Sequence, residues 1–324
     1  MIKSVIVTNH LGESLEMVLA NPYETGFAIT SIKGLGPSKS SINTTDIATS
    51  DGSVFNSARV NKRNIVLSIT FVGNESIETL RQKTYKYFPV KKRLTLEFIT
   101  DNRFLGIVGY VESNEPNIFS SAESCQISII CPDPNFYSSG DDGTAITEFN
   151  SFTSLFEFPW AEFYDMEQLP HGFENYIYHD EYLDKDLYTL EFGSIDTIGM
   201  HNIPYDGDTE TGVLIIMHAI GPVTMPVIYD ITTQESITVN TNTLEVLTGS
   251  PMIASDTIEI STVKGDKYVK LIRSGHEYNI INCVGKHVGW FQLSKGDNVF
   301  GYSAESGIEN LILTMENRML YEGV

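Results

Sequence analysis

The stretch Glu123-Ser-Cys-Gln-Ile-Ser-Ile-Ile-Cys-Pro-Asp-Pro-Asn-Phe136 decides how this chain is divided. Polar and apolar residues alternate from Gln126 to Ile129, which is the period of a strand with one buried face. Cys131-Pro-Asp-Pro134 then ends that strand, because proline offers no amide proton to a neighbouring strand and biases its predecessor away from helix. We therefore predict two domains, residues 1–137 and 138–324.

Charge separates these two predicted domains. Residues 1–137 contain 13 basic and 13 acidic side chains, whereas residues 138–324 contain 8 basic and 29 acidic ones. The whole net charge of −21 therefore lies in the second half. Because nucleic-acid backbones are bound by clustered lysine and arginine, we expect no specific nucleic-acid binding.

Length and composition are those of a globular protein. A chain of 324 residues is long enough for two hydrophobic cores. No apolar run approaches the length of a membrane span, and the first residues are too short and too alternating for a signal peptide. We expect synthesis in the cytoplasm and no membrane contact. Cys125, Cys131 and Cys283 form no CxxC pair and are expected to be buried free thiols.

The first domain is predicted to be rich in strands with one helix. Apolar residues at helical spacing predict that helix at about residues 76–88, with Asn74 or Ser76 as its cap and Pro89 at its end. Strands are predicted at Ser4–Thr8, Leu15–Leu19, Ile65–Phe71 and Leu94–Thr100. The Gly-rich Gly34-Leu-Gly-Pro37 and the Ser/Thr-rich Ser38–Ser50 are expected to form an exposed, flexible connection and not a phosphate-binding loop.

A basic cluster, Lys91-Lys-Arg93, follows the predicted helix. Such a cluster is usually a solvated surface, but it can also meet the acidic face of a neighbouring subunit. We predict that Lys91, Lys92 and Arg93 bind a partner. We further expect the exposed edges of Ile65–Phe71 and Leu94–Thr100 to lie near the subunit contacts.

The second domain is predicted to be a β-sandwich without a helix from Tyr188 onward, because strands alternate with Gly-containing turns at short intervals. Residues 161–188 are the exception, since they are both aromatic and acidic and are long for a loop in a compact domain. Aromatic side chains are enriched at the centres of protein interfaces. We therefore predict that this segment binds a partner through the residues Phe173, Tyr176, Tyr178 and Tyr182.

The sequence contains no pattern that indicates an active site, a cofactor or a metal. Asp206, Asp208 and Glu210 alternate as calcium ligands do, but the loop lacks the required glycine, and a hairpin turn is the simpler interpretation. The histidines lack zinc spacing, and no nucleophile motif is present. Trp290 could stack on a sugar ring, although at least one of Trp290 and Phe291 is expected in the core.

Five motifs occur in an order that is recognisable from one family: Tyr85-Lys-Tyr-Phe-Pro89, Gly109-Tyr-Val-Glu112, Gln126-Ile-Ser-Ile-Ile-Cys-Pro-Asp-Pro134, Phe156-Glu-Phe-Pro159 and Leu320-Tyr-Glu-Gly-Val324. In this respect the chain resembles the distal tail proteins of long-tailed phages and related tail-like particles. The likeness covers nearly the whole chain except for about residues 161–188, which we interpret as an insertion.

The resemblance implies a mainly β fold. The N-terminal domain would be a β-sandwich or barrel-like domain with one α-helix, and it would form a hexameric ring that continues the tail tube. The C-terminal domain would be a galectin-like β-sandwich that radiates outward. The implied function is that of a structural hub at the virion tail tip and not that of an enzyme.

The resemblance also implies the partners. They are other copies of the chain, the major tail or tube protein, the tail-tip hub protein, and a receptor-binding or other baseplate protein. Two alternatives from other classes remain open. A carbohydrate-binding adhesion module would recognise host cell-wall sugars through Trp290, and a wall-degrading enzyme would need paired carboxylates that 42 acidic residues always supply.

Overall fold

The computed structural model describes residues 1–47, 51–73, 75–118, 123–140, 143–149, 152–153, 194–195, 200–285 and 288–324. The first half forms these elements: β1 (Ile2–Thr8), β2 (Ser14–Val18), β3 (Phe27–Lys33), β4 (Ser40–Asp46), β5 (Ser53–Val60), β6 (Arg63–Phe71), α1 (Ile77–Tyr87), β7 (Arg93–Thr100), β8 (Phe104–Asn117), β9 (Ser124–Cys131) and β10 (Phe136–Ser138).

The second half forms a longer series of strands and one α-helix. They are β11 (Thr144–Phe149), β12 (Phe152–Thr153), β13 (Ser194–Ile195), β14 (Met200–Tyr205), β15 (Thr211–Ala219), β16 (Val227–Asp230), β17 (Glu235–Thr238), α2 (Thr241–Thr248), β18 (Thr257–Ser261), β19 (Tyr268–Arg273), β20 (His276–Asn279), β21 (Gln292–Leu293), β22 (Gly296–Ser303), β23 (Leu311–Arg318) and β24 (Leu320–Tyr321).

One curved antiparallel sheet, which we call the N-terminal sheet, organises the first half. Its strand order is β2-β1-β7-β8-β9-β6-β3, and β10 joins it beside β8. The sheet curls so far that its edge strands β2 and β3 approach each other. Alternate residues of every strand point inward, and they form one buried core together with Leu80 of α1 and Phe88. The first half is therefore barrel-like, with its single helix packed against the core.

The predicted helix is confirmed, and its cap is Ser76. The Ser76 hydroxyl accepts a hydrogen bond from the Thr79 amide at 3.2 Å, which satisfies one of the amides that a helix start leaves unpaired. At the other end the Phe88 amide donates to the Thr84 carbonyl at 2.8 Å, and Pro89 follows. Leu80 and Thr84 form the buried face of the helix.

Two expectations about the first half are wrong. Much of the Ser/Thr-rich stretch is not a flexible connection, because β4 and β5 pair with each other as a two-stranded antiparallel hairpin. These strands were not predicted because they consist largely of serine, threonine and other polar residues and lack the regular apolar alternation that indicates a strand. In addition, β6 and β7 are not exposed edges, since β6 lies between β9 and β3 and β7 lies between β1 and β8.

Two facing sheets, which together we call the C-terminal sandwich, form the second half. One sheet has the order β11-β23-β15-β18-β19-β20, and β21 joins it beside β15. The other has the order β14-β22-β16-β17. The inward residues of both sheets belong to one core, in which Phe149, Phe300 and Met315 are fully buried. This core is separate from that of the N-terminal sheet.

The second half is not free of helices, contrary to expectation. Thr241–Thr248 form α2, which Asn240 caps by accepting a hydrogen bond from the Thr243 amide at 3.0 Å. Gly249 ends the helix in the left-handed conformation that glycine adopts without strain. The fold class itself is confirmed, because the chain is mainly β with a barrel-like first half and a sandwich as its second half. Among the residues described, no helix is long and apolar enough to cross a membrane.

Candidate assembly surfaces

A buried arginine joins two loops of the first half to the last residues of the chain. Arg63, at the start of β6, is 3% exposed, and its guanidinium lies over the ring of Phe136 at 4.4 Å. It donates hydrogen bonds to four backbone carbonyl groups: those of Pro134 at 2.6 Å, Gly34, Gly36 at 2.6 Å and Glu322 at 2.7 Å. Burial lowers the pKa of Arg63 below its ordinary value. Carbonyl dipoles therefore take the place of a carboxylate partner.

The loop Gly34–Pro37 has a structural role in this pocket. Gly34 adopts φ +87°, and a Cβ atom there would lie 2.1 Å from the Asn64 carbonyl oxygen. Only glycine allows the loop to come this close to β6. The carbonyl groups of Gly34 and Gly36 then face Arg63. The sequence did not indicate that the carbonyl groups of these two glycines accept hydrogen bonds from Arg63.

The last residues of the chain return to the N-terminal sheet. Tyr321 of β24 pairs with Phe136 of β10, and the Val324 amide donates to the Leu35 carbonyl at 3.1 Å. Leu320 pairs with Tyr137 and also contacts the sandwich, since its amide donates to the Tyr205 hydroxyl at 3.0 Å. This C-terminal segment, Leu320–Val324, thus contacts both halves. The motif that carried part of the family resemblance is the one that connects them.

The hairpin of β4 and β5 exposes an apolar face. Ile42 lies opposite Ala58, and Phe55 lies opposite Thr44, so these side chains share one face with Val60. Ile42 is 61% exposed, Phe55 is 62% exposed and Val60 is 55% exposed. An isolated two-stranded hairpin is marginally stable in water, and its edges remain open for pairing. The hairpin therefore has the properties of an interaction arm.

The predicted partner-binding cations lie at the turn between α1 and β7. Lys91, Lys92 and Arg93 are all exposed, and none makes an ion pair with a carboxylate of the described residues. Arg93 lies directly opposite Tyr110 on β8. The predicted aromatic contacts of the insertion, Phe173, Tyr176, Tyr178 and Tyr182, fall outside the described residues. Partner binding by either set stays a prediction.

Trp290 and Phe291 divide as expected for a strand-like segment. Phe291 is 2% exposed within the sandwich core, whereas Trp290 is half-buried against that core. The ammonium of Lys267 lies 5.3 Å from the centre of the Trp290 ring. A lysine over an indole is a favourable cation–π contact. Sugar binding at Trp290 stays a prediction.

Two of the three acidic groups considered as calcium ligands make other contacts. Asp208 lies 3.8 Å from the Lys295 ammonium and accepts a hydrogen bond from the Glu322 amide at 3.4 Å. Glu210 lies 4.0 Å from the Lys264 ammonium. Within the described ranges, no three His, Cys, Asp or Glu side chains converge on one point as metal ligands do.

The three cysteines are buried free thiols, as predicted. Burial raises the pKa of Cys125 to about 11 and that of Cys131 to about 12, and it raises the pKa of Cys283 as well. Cys125 and Cys131 occupy the same inward face of β9, among the residues of the core. Neither thiol has an oppositely charged partner that would promote ionisation enough to offset burial.

We predict that native protein reacts slowly with iodoacetamide at pH 8. A thiol with a raised pKa contains little thiolate, which is the reactive form, so labelling should be on the order of 100-fold slower than in urea. Mass spectrometry of labelled peptides measures each site separately. Rapid labelling of any one cysteine in the native protein would contradict the burial described here.

Comparison with solved structures identifies the fold. The Dit protein of phage SPP1, described as a paradigm of the hub adsorption apparatus in phages that infect Gram-positive bacteria, aligns over 98% of this chain and 98% of its own chain. The TM-score is 0.62 and the sequence identity is 10%. This chain has the Dit fold. The family resemblance inferred from the five motifs is thereby confirmed at the level of structure.

A second relative of this Dit-like chain belongs to a larger assembly. A chain of the phage P2 baseplate, in its activated conformation with calcium, aligns over 100% of both chains with a TM-score of 0.51 and 14% identity. The same baseplate with strontium gives a TM-score of 0.50 and 14% identity over 99% of both chains. No protein-family model matches the sequence. No curated protein matches it either.

Proposed function

We propose that this Dit-like chain is a structural hub of a phage tail tip or baseplate, with a role in host attachment. Full-length similarity to the Dit protein of SPP1, a hub protein, carries the proposal. In this proposal the chain forms a homohexameric ring at the virion tail tip. The ring joins the major tail or tube protein to the tail-tip hub protein and to receptor-binding or other baseplate proteins.

Within this proposal the chain divides into residues 1–137, which form the ring, and residues 138–324, a galectin-like sandwich that radiates outward. Two separate buried cores support the division. The charge pattern also supports this division. Residues 1–137 have no net charge, which suits close packing in a ring, and the acidic sandwich favours solubility before assembly. In this proposal the protein binds several partners at once and does not turn over a substrate.

The hairpin of β4 and β5 is the proposed ring contact. Its exposed apolar face, with Ile42, Phe55 and Val60, needs a partner surface, and a second copy of the chain supplies one in a ring. A hairpin arm that packs on a different surface of its neighbour gives a head-to-tail interface, which closes into a ring when the rotation between copies allows it. A permanent ring should bury roughly 2,000 Å² or more at each interface.

We expect the purified chain to form a hexamer, either alone or when its tail partners are added, and multi-angle light scattering measures its mass. The double variant Ile42→Asp/Phe55→Asp should weaken association at least about 100-fold, because each aspartate places an unpaired charge in an apolar contact. Arg59→Asp/Thr45→Asp is the matched control, since both residues lie on the other face of the same hairpin. A hexamer that survives the first variant would exclude the hairpin as the ring contact.

The acidic insertion is proposed to contact another subunit of the assembly. Residues 161–188 combine aromatic side chains, which dominate interface energetics, with acidic side chains that suit a basic surface. In this proposal Phe173, Tyr176, Tyr178 and Tyr182 supply the apolar contacts. Lys91, Lys92 and Arg93 are proposed to bind a partner as well.

A further inference from the structure

The strands of the C-terminal sandwich run between a proximal and a distal end. At the proximal end, the Tyr205 hydroxyl accepts the hydrogen bond from Leu320, which pairs with Tyr137 of β10. Strand β15 begins near this end, since Thr211 lines the groove between the two halves. Its nine residues span roughly 26 Å at about 3.3 Å per step. The distal end, at Ala219, therefore lies far from the N-terminal sheet.

The helix α2 and two loops close the distal end. Leu244 of α2 is fully buried in the sandwich core, so the helix covers that core. The loop after β15 meets the loop before β18. There the Val223 amide donates to the Met252 carbonyl at 3.3 Å, and the Ser255 amide donates to the Ala219 carbonyl at 2.7 Å. We call these three segments the distal surface: residues 220–225, 241–248 and 249–256.

The distal surface exposes four aliphatic side chains. Val246 is 86% exposed, Leu247 and Ile220 are each 51% exposed, and Ile253 is 39% exposed. The helix α2 thus carries one apolar side chain that enters the core, Leu244, and two that point into solvent. Aliphatic side chains that are exposed together in this way mark a contact with another molecule.

A salt bridge holds the distal surface in one conformation. Arg273 at the end of β19 pairs with Asp256, which is 1% exposed, at 2.5 Å. The same guanidinium donates to the Thr248 hydroxyl at 3.1 Å and to the Ser250 hydroxyl at 2.6 Å. The end of α2 and the loop after it are thereby tied to the sheet. A surface that is already ordered loses less conformational entropy when a partner binds.

Uncommon backbone conformations are concentrated at the same end. Met225, Ser255 and Ser274 adopt φ +49°, +70° and +50°, values that residues with a side chain rarely adopt. Among the described residues of the sandwich, Gln234 is the only other residue apart from glycine with a positive φ. Backbone strain of this kind clusters at functional sites, where a particular surface shape is needed.

Three exposed carboxylates border the distal surface. Glu245 belongs to α2 itself. Glu305 and Glu309 belong to the loop between β22 and β23, in which the Glu305 amide donates to the Thr224 carbonyl at 2.9 Å. Among the described residues, no cationic nitrogen lies within 4.0 Å of these three carboxylates. The border of the surface is therefore negative and favours cations on a partner.

We propose that the distal surface docks a different protein of the tail tip, one that presents aliphatic side chains bordered by lysine and arginine. The inference rests on the proposed function, since the sandwich meets such a protein within the assembly. The four exposed aliphatic side chains form the centre of the contact, from which water is excluded. The three bordering carboxylates pair with the cations of the partner and fix its orientation.

A second copy of this chain fits the distal surface less well. Residues 138–324 contain 8 basic and 29 acidic side chains, so two sandwiches that approach each other repel at long range. A positively charged partner is instead attracted by the same field, which raises its rate of association. The charge of the sandwich thus distinguishes the partner from further copies of the chain.

Site-specific cross-linking in assembled tail particles tests this contact. Photoreactive benzoylphenylalanine replaces Val246 in the full chain, and mass spectrometry identifies the peptides to which it becomes joined. We expect one other protein of the particle, cross-linked within a peptide that contains lysine or arginine. Benzoylphenylalanine in place of Ile253 should identify the same protein, because both residues belong to one surface.

Charge reversal at the border tests the chemistry of the partner. Glu305→Lys/Glu309→Lys should lower the cross-link yield about tenfold or more, because like charges across an interface repel. Glu148→Lys/Glu210→Lys is the matched control, since it changes the net charge equally at exposed residues outside the distal surface and should leave the yield unchanged.

Several outcomes would overturn the inference. They are cross-links only to other copies of this chain, no protein cross-link from either position, and a yield that the reversal at Glu305 and Glu309 leaves undiminished. Particles that contain the chain as a ring but give one of these results refute the distal contact alone. A chain that is absent from tail particles refutes the proposed function as well.

Discussion

Arg63→Ala is expected to lower the free energy of unfolding by at least roughly 4 kcal/mol, because a hydrogen bond from a charged group contributes about 1.5–3 kcal/mol and several are lost together. The substitution removes all four donated bonds and the contact with Phe136. It leaves carbonyl oxygens without donors in a buried pocket. Urea denaturation followed by far-ultraviolet circular dichroism measures the loss.

Two further variants make the Arg63 result interpretable. Arg63→Lys keeps the positive charge but lacks the planar fork, so it should recover about half of the loss because its ammonium cannot reach all four carbonyl groups. Arg59→Ala removes an exposed arginine from β5, the strand that precedes β6 in the chain, and should change the free energy of unfolding by less than about 0.5 kcal/mol. If Arg63→Ala behaved like Arg59→Ala, the pocket would not be a determinant of stability.

Deletion of Leu320–Val324 is expected to separate the unfolding of the two halves. The deletion removes the partner strand of Phe136, the Glu322 carbonyl that Arg63 binds and the amide that Tyr205 binds. A loss of about 3 kcal/mol in the first half corresponds to a decrease of roughly 10 °C in its Tm. Differential scanning calorimetry should therefore show the first half melting before the sandwich.

Glu322→Ala is the control for the deletion. Arg63 donates this hydrogen bond to the backbone carbonyl of residue 322, so alanine at this position keeps the bond. Its melting curve should match that of the unchanged chain within about 0.5 kcal/mol in stability. A truncated chain with an unaltered thermogram would show that the C-terminal segment does not couple the two halves.

The parts of the fold that could be predicted are those in which local pattern and burial agree. β9 shows the period of two, and α1 shows helical spacing with a serine cap and a proline at its end. Ile127 and Ile129 of β9 and Leu80 of α1, which belong to these periods, are buried in the core. The five motifs predicted the Dit fold correctly.

The hairpin of β4 and β5 was not predicted because its residue pattern does not reflect burial. Nearly every residue of β4 and β5 is exposed, so neither strand needs the alternation of apolar and polar residues that burial imposes. Its apolar residues are spaced irregularly, since a register shift between Asn43 and Thr44 displaces the pairing. The helix α2 was missed because it is short and rich in threonine, although Asn240 and Gly249 were usable signals for its ends.

The role of Arg63 could not be predicted from the sequence, because its partners are backbone carbonyl groups, which every residue has. Only the fold brings the Gly34–Pro37 loop, Pro134 and Glu322 to one point, across as many as 259 positions of sequence. Lys91, Lys92 and Arg93, in contrast, are adjacent in sequence and could be recognised as a cluster.

The return of β24 to the N-terminal sheet has a consequence during translation. β24 emerges from the ribosome after the entire sandwich, so a nascent chain exposes an unfilled place beside β10 until that point. The N-terminal sheet therefore acquires this strand only after all strands of the sandwich have been synthesised.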